Sequence, residues 1–344
     1  MKKVLSLLMV VIMVFTITAC ETANEKQNEV IEQKPLVVVV TDEGGIGDYS
    51  FNDSVLSALE DAKKEYKIDI RCVEAEDNKS YEDHIQEAVY EDAIIVIAAG
   101  SHMGDAVKKV SAENPDKYFG VVDAKISGDN ILSISFADNE SGFLAGYAAG
   151  KTSKTGHVGM IAGEERETID LYRYGFEAGL KMANPNADFT IEYAGTFLDS
   201  EKGYQVASKM IDKNKIDVIF HVAGATGKGI IDACKEKNVW VIGADRDQSS
   251  LASKNVLCSA VKDMEEGISE MIEMAIGRGK FKGGHTIFNI HDEGVGLSDN
   301  AGNLNRELKD EIDELQEKID DKKIEVPVDL ETLQNFLANE VSVE

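Results

Sequence analysis

The chain has 344 residues, with 63 acidic and 36 basic side chains and a formal net charge of −27 at pH 7. Such an acidic chain lacks the basic surface that nucleic-acid binding requires, and anionic lipid would repel it if it lay flat on a membrane. The length is sufficient for two lobes of ordinary size. The composition therefore argues against a nucleic-acid partner and favours a two-lobed globular protein.

The first 19 residues predict a signal peptide. Lys2 and Lys3 precede an apolar run at 4–17, which is too short to span a bilayer comfortably. Small residues before Cys20 resemble a bacterial lipobox, in which that cysteine becomes the lipidated first residue after cleavage; an ordinary signal peptide with an incidental cysteine is the alternative. The segment 20–34 is polar and lacks aromatic side chains, which is typical of a flexible tether. We therefore predict that a lipid on Cys20 anchors the protein to the cell membrane, facing outside the cytoplasm.

Strand and helix patterns alternate along most of the remaining chain. The apolar run 36–40 predicts a first strand, a turn follows at 41–53, and apolar residues from Val55 to Tyr66 recur at the spacing of a helix face. Further strands are predicted, in chain order, at 68–73, 93–98, 118–123, 131–136, 157–162, 189–194, 216–221, 239–244, 256–261 and 286–291. Helical patterns separate most of them, so two doubly wound α/β sheets in tandem are the simplest fold that fits. With only four prolines and no low-complexity linker, we expect short crossings between two lobes that close by a hinge.

The turn at 41–53, TDEGGIGDYSFND, is the most informative segment. It follows the first strand, and open α/β sheets bind ligands at the carboxyl ends of their strands. Polar or aromatic residues also follow several later strands, at Gly100, Ser101, Asp123, Phe197, Asp199, Gly224, Thr226, Asp245, Asp247 and Gln248. In a two-lobed protein both sets can face one cleft.

Within this set, each residue also has a purely structural interpretation. A carboxylate after a strand is often a helix cap or a turn former, and we assign Asp48 and Asp53 to that role. A single phenylalanine is often part of the core, but Phe51 and Phe197 fall at corresponding turns of the two lobes. Facing rings would sandwich a planar base, and each stacked base contributes about 1–3 kcal/mol. Lys262 either balances the acidic residues or is an ordinary surface lysine.

Other chemistries have weaker support in the sequence. Cys72, Cys234 and Cys258 lie in or beside apolar runs and are odd in number, which predicts buried free thiols. The segment GATGKG at 224–229 departs from the P-loop pattern at Val222 and Gly229. We find no paired histidine spacing for a metal and no nucleophile elbow, and we therefore predict neither a metal site, nor a cofactor, nor catalytic residues.

Several of these motifs together resemble the basic membrane protein family, whose members are lipoprotein solute receptors of ABC importers and include purine nucleoside receptors. The resemblance begins with the turn at 41–53 and covers nearly the whole chain after the tether. It continues in order through the segments 114–116, 119–123, 142–146, 217–220, 224–229, 242–248 and 324–327. The family name does not suit the acidic composition of this chain.

The resemblance implies a type I periplasmic-binding-protein fold, in which two doubly wound parallel-sheet lobes are joined by three crossings. We place the crossings near Ala137, Ala260 and Asp292. The N-terminal lobe then comprises 35–137 and 261–291, and the C-terminal lobe comprises 138–260 and 292–327. The segment 328–344 is predicted to be a C-terminal tail with a short helical pattern.

The resemblance also implies roles for individual residues. The positions of the two aromatics that enclose the base in the nucleoside receptors match Phe51 and Phe197. The positions that contact base and ribose match Asp42, Asn52, Asp123, Asp245 and Lys262, and Gly224 would bring its backbone close to the ligand. The chain departs from the family pattern in the segment that begins AGEERETID at Ala162 and borders the predicted cleft, so the identity of the ligand stays open.

The sequence thus predicts a lipid-anchored, monomeric, non-enzymatic receptor that captures nucleosides, purine nucleosides foremost, and delivers them to an ABC permease. A receptor for a sugar, a flavin or a signalling molecule is the first alternative. A nucleoside-cleaving enzyme that uses the aspartates is the second, and a surface antigen or sensor without a permease is the third.

Overall fold

The computed structural model describes residues 34–75 and 80–340. The predicted signal peptide, the lipid site at Cys20 and the tether as far as residue 33 lie outside the described residues. Among the three cysteines within them, Cys234 and Cys258 are buried, Cys72 is partly buried, and all three are free thiols as predicted.

The first lobe is built on a six-stranded sheet with the order β11-β5-β4-β3-β1-β2, in which every pairing is parallel. Its strands are β1 (Leu36–Thr41), β2 (Asp69–Glu74), β3 (Ile95–Ala99), β4 (Tyr118–Val122), β5 (Ile131–Phe136) and β11 (Gly284–Phe288). Its helices are α1 (Phe51–Tyr66), α2 (Tyr81–Tyr90), α3 (Gly104–Glu113) and α8 (Glu265–Ala275). The valines of β1 are fully buried, as expected for a central parallel strand covered on both faces.

The second lobe repeats this design with the strand order β12-β10-β9-β8-β6-β7. Its strands are β6 (His157–Ala162), β7 (Asp188–Tyr193), β8 (Val218–Val222), β9 (Trp240–Asp245), β10 (Val256–Lys262) and β12 (Val295–Ser298). Its helices are α4 (Asp138–Thr152), α5 (Glu167–Ala183), α6 (Ser200–Asn214), α7 (Thr226–Lys237), α9 (Arg306–Asp320) and α10 (Leu330–Glu340). The pairing of β12 with β10 is antiparallel, and the other pairings in this sheet are parallel.

The chain passes between the two sheets three times, after β5, after β10 and after β11. Two α/β lobes with three crossings confirm the fold class that the sequence predicts. The strand β12 was not predicted, because a four-residue edge strand with a glycine inside it has almost no pattern to detect. The predicted strand at 286–291 lies at 284–288 instead, and the turn that follows it carries the third crossing.

Two helices that carry site residues pack unusually closely in the second lobe. Gly142 and Gly146 of α4 face α5, and Gly175 and Gly179 of α5 face α4. At each of these positions a Cβ atom would run into backbone atoms of the other helix, so only glycine lets the helices approach this closely. The contact fixes the start of α4 against α5, and α5 contributes Thr168, Ile169 and Tyr172 to the cavity described next.

Candidate functional site

A cavity with about 620 Å³ of empty space lies between the two lobes, at the carboxyl ends of their strands. The first lobe contributes Asp42, Gly44, Asp48, Phe51, Gly100, Ser101, His102 and Asp123, and the second contributes Arg166, Thr168, Ile169, Tyr172, Phe197, Val222, Gly224, Ala225, Asp245 and Lys262. Seven of the eight ligand-binding positions predicted from the sequence therefore line one cavity. The eighth, Asn52, lies directly behind Asp42, to which its amide Nδ2 donates a hydrogen bond of 2.7 Å.

The turn at 41–53 is held rigid by its own carboxylates. Asp48 accepts hydrogen bonds from the backbone N–H groups of Ser50, Asn52 and Asp53 at 2.8–3.1 Å, which satisfies donors at the start of α1. Asp53 accepts hydrogen bonds from the N–H groups of two other turn residues. The turn-forming role predicted for these two aspartates is therefore present, but Asp48 also lines the cavity, and burial raises its pKa to about 7.

The turn is also bonded to the second lobe. The hydroxyl of Ser50 donates to the carboxylate of Asp245, and the side-chain amide of Gln248 donates to the carbonyl oxygen of Tyr49 at 2.8 Å. Gln248 is fixed in turn by His221, whose ring Nε2 lies 2.8 Å from the amide oxygen. Gln248 therefore positions the turn and does not line the cavity.

Other polar residues after strands serve the fold. Asp199 caps α6 by accepting a hydrogen bond from the N–H of Lys202, and Asp247 accepts hydrogen bonds from the hydroxyls of Ser249 and Ser298. The structural interpretation therefore fits Asp199 and Asp247, while the cavity collects the remaining acidic positions.

Phe51 and Phe197 enter the cavity from opposite lobes. Phe51 is the first residue of α1, and the ammonium of Lys262 lies 5.6 Å from its ring centroid. Phe197 follows β7, and its ring packs so closely against Gly163 that a Cβ at that glycine would overlap it. The backbone of Gly224 adopts a φ of 52°, a left-handed conformation that glycine accepts readily, and it lies next to Phe197.

A group of four charged side chains, which we call the hinge cluster, lies where two crossings meet. It consists of Lys262, Asp123, Asp138 and Asp245, and the Lys262 ammonium lies 2.6, 3.2 and 3.9 Å from the respective carboxylates. The side chains of Lys262 and Asp138 are only 2% and 1% exposed. The alternative that Lys262 is an ordinary surface lysine is therefore wrong.

In the hinge cluster, burial and the neighbouring charges shift the pKa values in opposite directions. Burial raises the pKa of Asp138 and of Asp245 above the usual value, and the charge of Lys262 only partly offsets it. Burial would lower the pKa of Lys262, but the three carboxylates outweigh that effect and raise it. Because three acids surround one ammonium, the cluster attracts hydrogen-bond donors and repels anions.

Within the described residues, four buried oxygen atoms of the cavity lining, the hinge cluster and Asn52 have no hydrogen-bond partner: Oδ1 of Asn52, Oδ1 of Asp123, Oδ1 of Asp138 and the hydroxyl of Tyr172. Buried acceptors in folded proteins are nearly always paired, so an unpaired one requires an explanation. Donor groups of a bound ligand, such as hydroxyl or ring N–H groups, would supply the missing partners.

A second charged group, the rim cluster, was not predicted. It consists of Glu43, His102, Glu164 and Arg166. Nη1 of Arg166 donates to the His102 ring and lies 2.9 Å from its Nε2 atom. Nη2 of Arg166 lies 2.6 Å from the Glu164 carboxylate and 4.0 Å from the Glu43 carboxylate. The hydrogen bond with His102 outweighs burial and lowers the pKa of Glu43 to about 2.

The sequence held only an indirect sign of the rim cluster. Arg166 and Glu164 lie in the segment that departs from the family pattern, but which of its residues enter the cavity depends on how α5 is placed. Tyr172 was missed because it lies within a helix, and Asp138 was missed although it follows β5 by only two residues. Among the described residues we find no cluster of three or more His, Cys, Asp and Glu side chains suited to a metal ion.

Comparison with known proteins places this architecture in a family. Residues 36–329 match the family model described as ABC transporter substrate-binding protein PnrA-like. The chain belongs to the basic membrane protein family. Like its other members, it is a substrate-binding protein of an ABC transporter. Such a protein faces outside the cytoplasm, binds a small ligand and works with a permease in the membrane.

Individual relatives agree with this family assignment. Basic membrane protein A of Borreliella burgdorferi is 34% identical to this chain, and the alignment covers 98% of this chain and 99% of that protein. A CD4+ T-cell-stimulating antigen of Listeria monocytogenes is 34% identical over 85% of this chain and 87% of its own length.

A solved structure of a solute-binding protein of an ABC transporter system from Aeropyrum pernix K1 superposes with a TM-score of 0.79. It covers 89% of this chain and 97% of the other at 21% identity, which supports the shared fold. Within the described residues, no helix is both long and apolar enough to cross a bilayer.

Proposed function

We propose that this family member captures nucleosides, with purine nucleosides preferred, and delivers them to an ABC permease from a lipid anchor on Cys20. The observation that carries the proposal is the pair Phe51 and Phe197, which enter one cavity from opposite lobes above a floor of buried acceptors. A planar base between the rings would bind both lobes at once.

The remaining residues fit the polar part of a nucleoside. Asp42 would receive the base edge, since it belongs to the turn that carries Phe51, and Asn52 would hold the Asp42 carboxylate in place through its hydrogen bond. Asp123, Asp245 and Lys262 form a floor that suits ribose hydroxyls, because carboxylates accept and an ammonium donates hydrogen bonds. Gly224 leaves room beside Phe197 for the ligand.

Closure of the two lobes is the proposed mechanism. Contacts between the lobes already connect Ser50 with Asp245 and Lys262 with Asp123. A ligand that bridges the same two surfaces would stabilise the closed form in proportion to its preference for that form, and the permease would recognise the result.

Isothermal calorimetry with a panel of purine and pyrimidine nucleosides tests this proposal. We expect at least one purine nucleoside to bind with a one-to-one stoichiometry. If no nucleoside binds while the protein is folded, the nucleoside assignment is wrong.

A sugar receptor is the alternative that the floor of the cavity also favours, because unpaired carboxylate oxygens accept sugar hydroxyls equally well. A thermal-shift screen over sugars, flavins and nucleosides separates the two, since a bound ligand raises the apparent stability. Release of free base from a bound nucleoside would instead indicate a hydrolase.

A further inference from the structure

Arg166 holds a position in the cavity that the proposed function does not use. It is the residue immediately before α5, its side chain is 20% exposed, and it lines the cavity. Its guanidinium carbon lies 4.7 Å from the ring centroid of Phe197. The guanidinium therefore lies over the Phe197 ring itself, and a base that stacks on this ring would have to move it to the edge of the base.

The guanidinium can only donate hydrogen bonds. It carries five N–H groups and has no acceptor. Glu43 and Glu164 stand close to it and already balance its charge. This surrounding negative charge makes Arg166 unsuited to a phosphate and suited to a neutral acceptor, such as a carbonyl oxygen or a ring nitrogen.

An acceptor stands near this donor on the first lobe. The Oδ1 atom of Asp42 is occupied by the Gly44 N–H and the Asn52 amide, and its Oδ2 atom lies 3.7 Å from Nε2 of His102. His102 also contacts Arg166, so it links the two groups. One side of the cavity therefore presents a carboxylate acceptor and a guanidinium donor with a histidine between them.

A 6-oxopurine has the complementary arrangement. Its ring N1–H donates and the neighbouring O6 accepts, whereas a 6-aminopurine has an acceptor at N1 and a donor at N6. Arginine pairs with the O6 and N7 acceptors of guanine more often than it makes any other specific base contact. We propose that Arg166, together with Asp42, selects nucleosides with a 6-oxopurine base over those with a 6-aminopurine base.

This inference rests on the proposed nucleoside function and adds the class of base. The discrimination has an attractive and a repulsive part. Inosine or guanosine would direct O6 at Arg166, but adenosine would direct its amino group at the guanidinium and a lone pair at the Asp42 carboxylate. A site whose polar groups are left unpaired rejects the wrong ligand more strongly than an apolar pocket does.

Calorimetry with inosine and adenosine tests the inference, because these ligands differ only at position 6 and the adjacent N1. We expect inosine to bind at least about tenfold more tightly to the unaltered protein. In Arg166→Met, which keeps the length and loses the donors, we expect the ratio to fall below about threefold, mainly through weaker inosine binding.

Arg173→Met is the matched control. Arg173 lies on α5, which begins directly after Arg166; its guanidinium is 5.5 Å from the Tyr174 ring centroid, and it does not line the cavity. This variant should keep the inosine preference of the unaltered protein. A preference lost equally in both variants would overturn the role of Arg166.

A change in the ligand keeps the test valid even if Arg166→Met does not fold. Purine riboside lacks the oxo group, and we expect the unaltered protein to bind it at least about tenfold more weakly than inosine. Equal binding of inosine, adenosine and purine riboside would overturn this inference and leave the nucleoside function intact. Failure of all nucleosides to bind would overturn both.

Discussion

The hinge cluster and the rim cluster belong to the same cavity and differ in how they hold charge. In the hinge cluster, Lys262 and Asp138 are almost fully excluded from water, and three acids share one lysine. In the rim cluster, every side chain is at least 20% exposed, and Arg166 is shared by two carboxylates and a histidine. Buried charges depend on one another for solvation, whereas exposed charges keep water as a partner.

This difference indicates separate roles for the two clusters. The hinge cluster connects residues at two crossings, so changes there act on stability and closure as well as on binding. Two rim-cluster residues, Glu164 and Arg166, lie in the segment that departs from the family pattern, and we expect changes there to have little effect on the fold. Four substitutions test this contrast, from the largest expected effect to the smallest.

Replacing the buried lysine should have the largest effect. Lys262→Met leaves three buried acids without their cation, and we expect the free energy of unfolding to fall by about 3–5 kcal/mol in urea denaturation. Lys237→Met is the control, because Lys237 is paired with Asp212 at 2.9 Å on the surface, where water screens the pair and the expected loss is much smaller. Similar losses in the two variants would remove the contrast between buried and exposed pairs.

The aromatic wall above the hinge cluster should control affinity and leave the fold intact. We expect Phe51→Ala to weaken nucleoside binding at least about tenfold in calorimetry, because one stacking partner is lost. Tyr90→Ala is the control, since Tyr90 belongs to the same lobe and is 80% exposed. An unchanged affinity in Phe51→Ala would refute the stacking role.

The hinge cluster should also make stability depend on pH. Burial raises the pKa of Asp138 in the folded protein, so its contribution to stability is complete below the ordinary pKa and is lost as the pH rises through the raised value. We therefore compare the free energy of unfolding of Asp138→Asn with that of the unaltered protein at each pH. The variant's value relative to the unaltered protein should be higher at pH 9 than at pH 5 by at least about 1 kcal/mol. Denaturation curves at both pH values measure this gain. The same difference at both values would show that Asp138 is ionised throughout.

The rim should show the smallest effect on stability. Glu164 is 42% exposed and pairs with Arg166, so Glu164→Gln should change the free energy of unfolding by less than about 1 kcal/mol. Urea denaturation beside the Lys262 variant makes the comparison direct. A loss above about 2 kcal/mol would show that the rim cluster supports the fold as the hinge cluster does.

Much of this molecule follows from local pattern. The alternation of apolar strands with amphipathic helices predicts both sheets, because each parallel strand must be covered on two faces and each helix must cover one. The turn at 41–53 and the residues after later strands predict most of the cavity wall, because the carboxyl ends of parallel strands share one edge. The strand β12 escaped this reasoning because its four residues at a sheet edge carry no clear period.

The amino-acid sequence by itself determined the two-lobed fold and the residues available to the cleft. Only the tertiary structure decided which of them act together. Lys262 is buried among three acids because two crossings bring Asp138 and β10 to one point, and no spacing along the chain encodes that meeting. Arg166 reaches Phe197 because β6 and β7 pair side by side, so the segments that follow these two strands meet at one edge of the sheet. Local sequence specifies periodicity and turn chemistry, but the position of a long charged side chain depends on contacts between residues far apart in the chain.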